Sequence, residues 1–210
     1  MAVAYRIAPY GAAHAGAAAR IHAEGQPGTF LTSLGGAFLA ALYAQMASSP
    51  RCYGYVALED GPDRAEVAGV IVGTEDAGAV FKDLILLRGL RLVPSVSAAL
   101  VRRPGLLPKV LQTLLYPGQT QRRPGEAELL FMGVRGDRRR QGIGQALVSA
   151  LIAESRQRGM TALAVTVDAT NQAALQLYQR LGLRPVRRIV LYGRPMDWLE
   201  VELKTVTPAT

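Results

Sequence analysis

Residues 138–144 read Arg-Arg-Arg-Gln-Gly-Ile-Gly, between an apolar run that ends at Val134 and a helical pattern that starts at Ile143. The chemistry of such a junction is anion binding. The first turn of a helix carries backbone N–H groups without intrahelical acceptors, and the helix dipole concentrates partial positive charge there. Gly142 and Gly144 lack a Cβ, so a phosphate can approach the backbone closely, and the arginines add longer-range attraction. A solvated surface turn, with glycines for tight packing, competes with that reading. Two nucleotide-binding patterns fail on spacing. No Gly-Lys-Ser/Thr follows, and a dinucleotide fingerprint needs a third glycine where Leu147 stands.

The elements that position this turn follow from periodicity. Glu128 to Val134 is an apolar run bounded by turn residues, as expected of a buried strand. Ile143, Leu147 and Leu151 recur four apart and predict a helix to about Arg158, closed by Gly159. Thr161 to Asp168 alternates and is β-branched, which predicts a strand. Asn171 then opens a helix closed by Gly182, with Asn171 and Tyr178 two helical turns apart on one face. Arg187 to Tyr192 and Trp198 to Lys204 read as a closing hairpin, with Trp198 as a packing residue.

Taken together, Arg139-Arg140-Gln141-Gly142-Ile143-Gly144, the strand after its helix, and the Asn171, Tyr178, Gly182 spacing resemble the acyl-CoA signature of the GNAT superfamily of N-acetyltransferases, Arg/Gln-x-x-Gly-x-Gly/Ala. The resemblance covers residues 126–190 well, 1–75 loosely and 80–125 hardly at all. It implies an α/β (α+β) fold: a mixed, mostly antiparallel sheet, splayed at the cofactor strand and flanked by helices.

The front half reads in a compatible order. Val3 to Ala8 is a strand, and Pro9 to Glu24 an Ala-rich helix stopped by Gly25. Thr29 caps a helix from Phe30 to about Ala47, in which Gly35-Gly36 marks a kink or a close backbone approach. Tyr53 to Leu58 and Glu66 to Gly73 form a hairpin. Where the family makes a short connection, residues 80–119 interpose a helical insertion. Its Leu spacing and its breaks at Pro94, Pro104 and Pro108 predict short helices over about 80–92, 95–102 and 106–115.

At 210 residues, half of them hydrophobic, the chain reads as one globular domain, 1–210, with a flexible tail at 205–210. The single Cys52 excludes an internal disulfide framework and any four-cysteine zinc site; it reads as a buried structural thiol. His14 and His22, eight apart with no Cys or Asp cluster beside them, make no metal constellation. The opening MAVAYRIAPY lacks a signal-peptide pattern, and no run reaches the ~18 uncharged apolar residues of a membrane span, so the cytoplasm is the expectation. Arg135-Gly136-Asp137 spells an adhesion tripeptide that reads as a coincidence in a turn.

The net charge of +8 is concentrated. Lys82, Arg88, Arg91, Arg102, Arg103, Lys109, Arg122 and Arg123 stand against Asp83 alone, so residues 82–123 carry +7 of it. Nucleic acid, anionic lipid or an acidic substrate would each suit that segment, and a solvated basic face is the bland alternative. The segment lacks the interleaved aromatics of a base-stacking surface, which weighs against a nucleic-acid reader.

For the site, the resemblance implies acetyl-CoA as co-substrate and no metal. Met132 and Val134 would pair with the pantetheine arm. The N–H groups of Arg139, Arg140, Gln141, Gly142, Ile143 and Gly144, with Gln145, would cradle the pyrophosphate. Asn171 would bond the pantetheine or simply cap its helix. Tyr178 would protonate the leaving thiolate, against the alternative of a half-buried helix tyrosine. The base is open between Glu128, which shares strand parity with Met132 and Val134, Glu24, His22 and a water chain. The expected activity is N-acetylation of a small-molecule amine. A basic nucleic-acid- or membrane-binding module on a vestigial acyl-CoA fold, and a protein N-acetyltransferase, are the alternatives. The insertion is expected over or beside the acceptor end of the cleft, its arginines partly facing an acceptor that is anionic or enclosed; a homodimer contact and a membrane surface compete for that role.

Overall fold

The structure, a computed structural model, describes residues 4–59, 65–86, 89–109 and 123–203. Seven strands form one sheet: β1 (Tyr5–Pro9), β2 (Cys52–Glu59), β3 (Glu66–Thr74), β4 (Glu126–Val134), β5 (Ala162–Asp168), β6 (Arg184–Leu191) and β7 (Arg194–Glu202). Their order is β1-β2-β3-β4-β5-β7-β6. Only β4 and β5 pair in parallel; every other neighbouring pair is antiparallel. The crossover between the parallel strands is α6 (Ile143–Gln157), and α7 (Gln172–Arg180) follows β5. The mostly antiparallel, helix-flanked sheet is the expected one.

Each face of the sheet has its own core. On one, Ala18 and Ile21 of α1 (Ala15–Gly25) and Phe38, Leu39 and Leu42 of α3 (Gly36–Ala47) pack on Val56, Val70, Val72 and Phe131. On the other, Ile143, Leu147 and Leu151 of α6 and Leu175 and Tyr178 of α7 pack on Ile71, Leu129, Leu163, Val165 and Leu199. The four-residue spacing read from the sequence is therefore the buried stripe of α6.

Several boundaries differ from expectation. The chain stays extended to Pro9, paired with Tyr55 on an edge strand that tolerates proline, and α1 starts at Ala15 after a 3-10 turn at Ala12–His14. The Phe30–Ala47 helix is two helices, α2 (Phe30–Ser33) and α3, because Gly35 takes φ 97°. A Cβ added to Gly35 would meet no atom within 4 Å, so close backbone approach is not the reason.

The insertion forms α4 (Ala77–Leu86) and α5 (Gly89–Arg102), and α5 runs unbroken through Pro94. The missing N–H falls in the second turn of α5, and the packing of Val96, Ala99 and Leu100 on the α1/α3 core outweighs it. Pro104 opens a 3-10 turn to Leu106. Most of the third expected helix and the tail lie outside the described residues. Val80, Ala99 and Leu106 join the core on the α1/α3 side, and α5 stacks chiefly on α3 and α4.

Candidate functional site

The site begins where two strands part. β4 and β5 are registered from Glu126↔Ala162 to Leu129↔Val165, and there the pairing ends. β4 continues to Val134 beside β3, and β5 continues to Asp168 beside β7. The last five residues of β4 thus offer backbone groups to an opening in the sheet. Parallel strands each followed by a helix place both helix starts at the carboxyl end of that opening, where the dipoles favour an anion.

The turn leading into α6 is shaped by two left-handed residues, Arg140 at φ 60° and Gly142 at φ 83°. The first backbone bond of the helix start runs from Ala146 N–H to Gly142 O at 3.0 Å. Among the described residues, the N–H groups of Arg139 to Gln145 find no acceptor, which leaves a row of unpaired donors. Ile143 contributes only its backbone, since its side chain is buried under α6. The two glycines serve different ends. Gly142 is demanded by its φ, since a Cβ there would meet nothing nearer than Tyr5 Oη at 3.6 Å. Gly144 is tight against α7: a Cβ would sit 3.3 Å from Leu177 Cδ2, so a side chain there would require that leucine to shift by a few tenths of an ångström.

The arginines divide in the same way. Arg138 donates from Nε to both oxygens of buried Glu59 at 2.8 and 2.9 Å and from Nη1 to Asp137 at 2.7 Å. Arg135 reaches Asp137 at 2.7 Å, Glu66 at 2.9 Å and Glu59 at 3.3 Å. These pairs lace the ends of β2, β3 and β4 together and occupy the arginine and aspartate of the Arg135-Gly136-Asp137 turn with one another. The Arg135 bond holds the Asp137 carboxyl below the usual range. Arg139 makes only a long bond, Nε to Val134 O at 3.3 Å, and Arg140 is exposed on the turn.

Tyr178 is 4 % exposed, inside the α6/α7 core, and burial raises its phenol above the usual value. No described residue bonds its hydroxyl. Asn171 is the N-cap of α7, its Oδ1 accepting from Ala174 N at 3.2 Å.

Glu128 departs from the parity reading. The β3–β4 register steps from Val72↔Phe131 to Gly73↔Leu129, so Leu130 is an extra residue, a β-bulge. Before the bulge, Ala127 and Leu129 face α6; after it, Met132 and Val134 do, while Leu130 and Phe131 both face α1 and α3. Glu128 therefore lies on the opposite face from Met132 and Val134, one rung before β4 and β5 separate, between Thr74 and Ala164. It is 5 % exposed.

His22 is locked in the α1/α3 core. Its Nδ1 lies 2.7 Å from Tyr43 Oη, its ring stacks on Phe131 at 4.7 Å, and burial lowers its pKa to about 4. Glu24 instead lines an open cavity of about 690 Å³ between α1 and the start of β3, with His14, Arg20, Glu66 and Arg135. Burial pushes the Cys52 thiol up to about 11, in keeping with a structural cysteine. Among the described residues, no His, Cys, Asp and Glu group is placed to hold a metal.

Sequence reasoning missed the Glu59 ion cluster and the partners of Trp198. That indole is fully buried, donates to Glu200 Oε1 at 2.6 Å and carries Arg187 4.4 Å above its ring. Strand register brings Glu59 to Arg138 and Arg187 over Trp198, whereas Trp198 and Glu200, two apart on β7, share a face by the period of the strand alone.

A family model described as Acetyltransferase (GNAT) family matches residues 30–183. The chain is 46 % identical over 57 residues to [Ribosomal protein bS18]-alanine N-acetyltransferase of Escherichia coli, covering 27 % of this chain and 38 % of that protein. It is 36 % identical over 81 residues to mycothiol acetyltransferase of Paenarthrobacter aurescens, covering 39 % of this chain and 25 % of that one. It thus spans well under half the length of the curated relatives it matches. Among solved structures, the ribosomal-protein alanine N-acetyltransferase from Escherichia coli superposes with TM-score 0.61 at 17 % identity, over 99 % of both chains. Arabidopsis thaliana NAA60 in complex with acetyl-CoA superposes with TM-score 0.62 at 13 % identity, over 95 % of this chain and 99 % of that one.

Proposed function

The chain belongs to the GNAT family of acetyltransferases, and on that premise we propose that it transfers the acetyl group of acetyl-CoA to the amine of a small-molecule acceptor. The observation that carries the proposal is the opening between β4 and β5, which ends at a turn of unpaired N–H groups. The residues fit the ligand. The donors of Arg139 to Gln145 suit a pyrophosphate, Arg139 and Arg140 of the turn are not held by carboxylates, unlike Arg138, and the free half of β4 at Met132 and Val134 suits the amides of a pantetheine arm.

The chemistry follows from which face each group takes. The amine nitrogen attacks the thioester carbon, its N–H proton goes to a base, and the C–S bond breaks as the tetrahedral carbon collapses. Tyr178 stands on the α6/α7 side, and its phenol donates to the developing thiolate. Burial weakens the phenol as an acid, but the same low-dielectric surroundings raise the proton affinity of the thiolate, so the pair stays matched. Glu128 stands on the α1/α3 side at the last rungs before the opening, and we assign it the amine's proton. Amine and thiolate are then served from opposite faces of the sheet. His22, neutral and bonded to Tyr43, serves less well.

A second reading, acetylation of a protein N-terminus, is favoured by the 46 % identity over 57 residues with the ribosomal-protein enzyme. The test is a screen of small amines and N-terminal peptides with acetyl-CoA, followed by the free thiol released. Turnover of small amines supports the proposal. Turnover of peptides alone replaces it with the second reading, and no thiol release with either class overturns both.

A further inference from the structure

Two large apolar side chains stand exposed within six residues of one another where α5 ends: Val101, 84 % exposed, and Leu107, 50 % exposed. Arg102, Arg103, Pro104, Gly105 and Pro108 around them are exposed as well. The corner is not loosely attached. Ala99 and Leu106 are buried and Val96 and Leu100 pack beside them, so the same stretch that anchors inward on the α1/α3 core presents Val101 and Leu107 outward. α5 stacks on α3 and α4.

Among the described residues, the other exposed large hydrophobics, Val186 and Val190, lie on β6, an edge strand. There Pro185, a register shift between Pro185 and Arg187, and Arg184 and Arg188 blunt the edge against further pairing. That edge is protected against the addition of another strand.

We propose that the corner formed by Val101, Arg102, Arg103 and Leu107 docks on an anionic bilayer surface, with the two aliphatic side chains entering the boundary between headgroups and acyl chains and the two guanidiniums pairing with lipid phosphates. Charge decides the occupant. Arg102 and Arg103 are exposed beside the two aliphatic side chains, and an anionic surface complements them. A second copy would bring two such arginine pairs together, and like charges repel. Nucleic acid would use the arginines but has no use for exposed valine and leucine, and residues 96–109 contain no aromatic side chain for stacking on bases. The inference goes beyond the acetyl-transfer reading and its test does not depend on activity.

The experiment is flotation of the full chain with phosphatidylcholine vesicles, with and without roughly a third phosphatidylglycerol, at low and high salt. The protein floats with the anionic vesicles at low salt, much less at high salt, and not with phosphatidylcholine alone. Arg102→Glu with Arg103→Glu lowers the partition at least ~20-fold, from about fivefold per arginine, the ~1 kcal/mol a basic residue gains near such a surface. Val101→Asp with Leu107→Asp lowers it as well, while the melting curve of either double variant stays at wild type because all four side chains are exposed. Failure to float with anionic vesicles overturns the proposal, as does flotation that both double variants leave unchanged. So does tight binding of duplex DNA without vesicle binding, or a lipid-free dimer that Val101→Asp with Leu107→Asp dissolves.

Discussion

Replacing Gly142 separates backbone strain from phosphate recognition at the start of α6. Gly142 stands at φ 83° and ψ −10°, and a Cβ there would lie 3.6 Å from Tyr5 Oη, an ordinary contact. Gly142→Ala therefore costs only the left-handed strain, roughly 1–2 kcal/mol. For a chain of this size that lowers Tm by about 2–8 °C. Gly142→Asp costs no more, since aspartate tolerates the left-handed region better than alanine and suits the N-cap. Its carboxylate, however, would face the pyrophosphate. Two like charges about 4 Å apart repel by ~1 kcal/mol in bulk water and ~4 kcal/mol at a partly screened surface. The exposed turn lies between those limits, so acetyl-CoA affinity falls about tenfold to several-hundredfold for aspartate and no more than a few-fold for alanine. Calorimetric titration with acetyl-CoA, beside thermal melts of all three proteins, reads both effects. A folded Gly142→Asp variant with wild-type affinity would remove the phosphate from this turn and with it the cofactor assignment.

The remaining expectations test other parts of the site. Tyr178→Phe lowers kcat by roughly 10²–10⁴-fold while Kd for acetyl-CoA and Tm hold, since the hydroxyl has no described partner and acts only as sulfur leaves; wild-type kcat would return Tyr178 to packing alone. Arg138→Ala leaves buried Glu59 with only its 3.3 Å contact to Arg135, costs about 2–3 kcal/mol in chemical denaturation and spares acetyl-CoA binding, whereas Arg139→Ala weakens binding and spares stability. The reverse pattern would refute the division of the arginines. His22 titrates near 4 when folded and near 6.5 when unfolded, so the unfolded chain takes up a proton that the folded chain refuses. Its contribution is complete above about pH 6.5 and declines as the pH falls toward 4, a loss on the order of 3 kcal/mol. Denaturation curves between pH 7 and 4 show that slope in the wild type and lose it in His22→Gln; an equal slope in both would place the titration elsewhere.

Much of this protein is legible in its amino-acid sequence. The Ile143, Leu147, Leu151 stripe, the glycine at the start of α6, Asn171 as a cap and the strands on either side are local features. Helix period, capping and left-handed turns depend on residues within a few positions of one another, and a single sequence records them. The same holds for the order of elements that carries the family resemblance. Pro94 shows the limit of local rules, since its helix is held by contacts to a core assembled from distant segments.

What only the tertiary structure decided were relations between strands and between helices far apart in sequence. The period-two count that put Glu128 beside Met132 and Val134 assumes an unbroken strand. The bulge at Leu130 exists only relative to β3, so it moved the carboxylate to the other face without any mark in β4 itself. Gly144 looked like a phosphate glycine and is also a packing glycine, because Leu177 of α7 lies against it. The three consecutive arginines are alike in sequence, but Arg138 is claimed by Glu59 at the end of β2, and Arg139 and Arg140 are not. Local sequence sets which conformations a segment prefers. Register and packing are properties of pairs of segments, and they decide which side chains end up facing the chemistry.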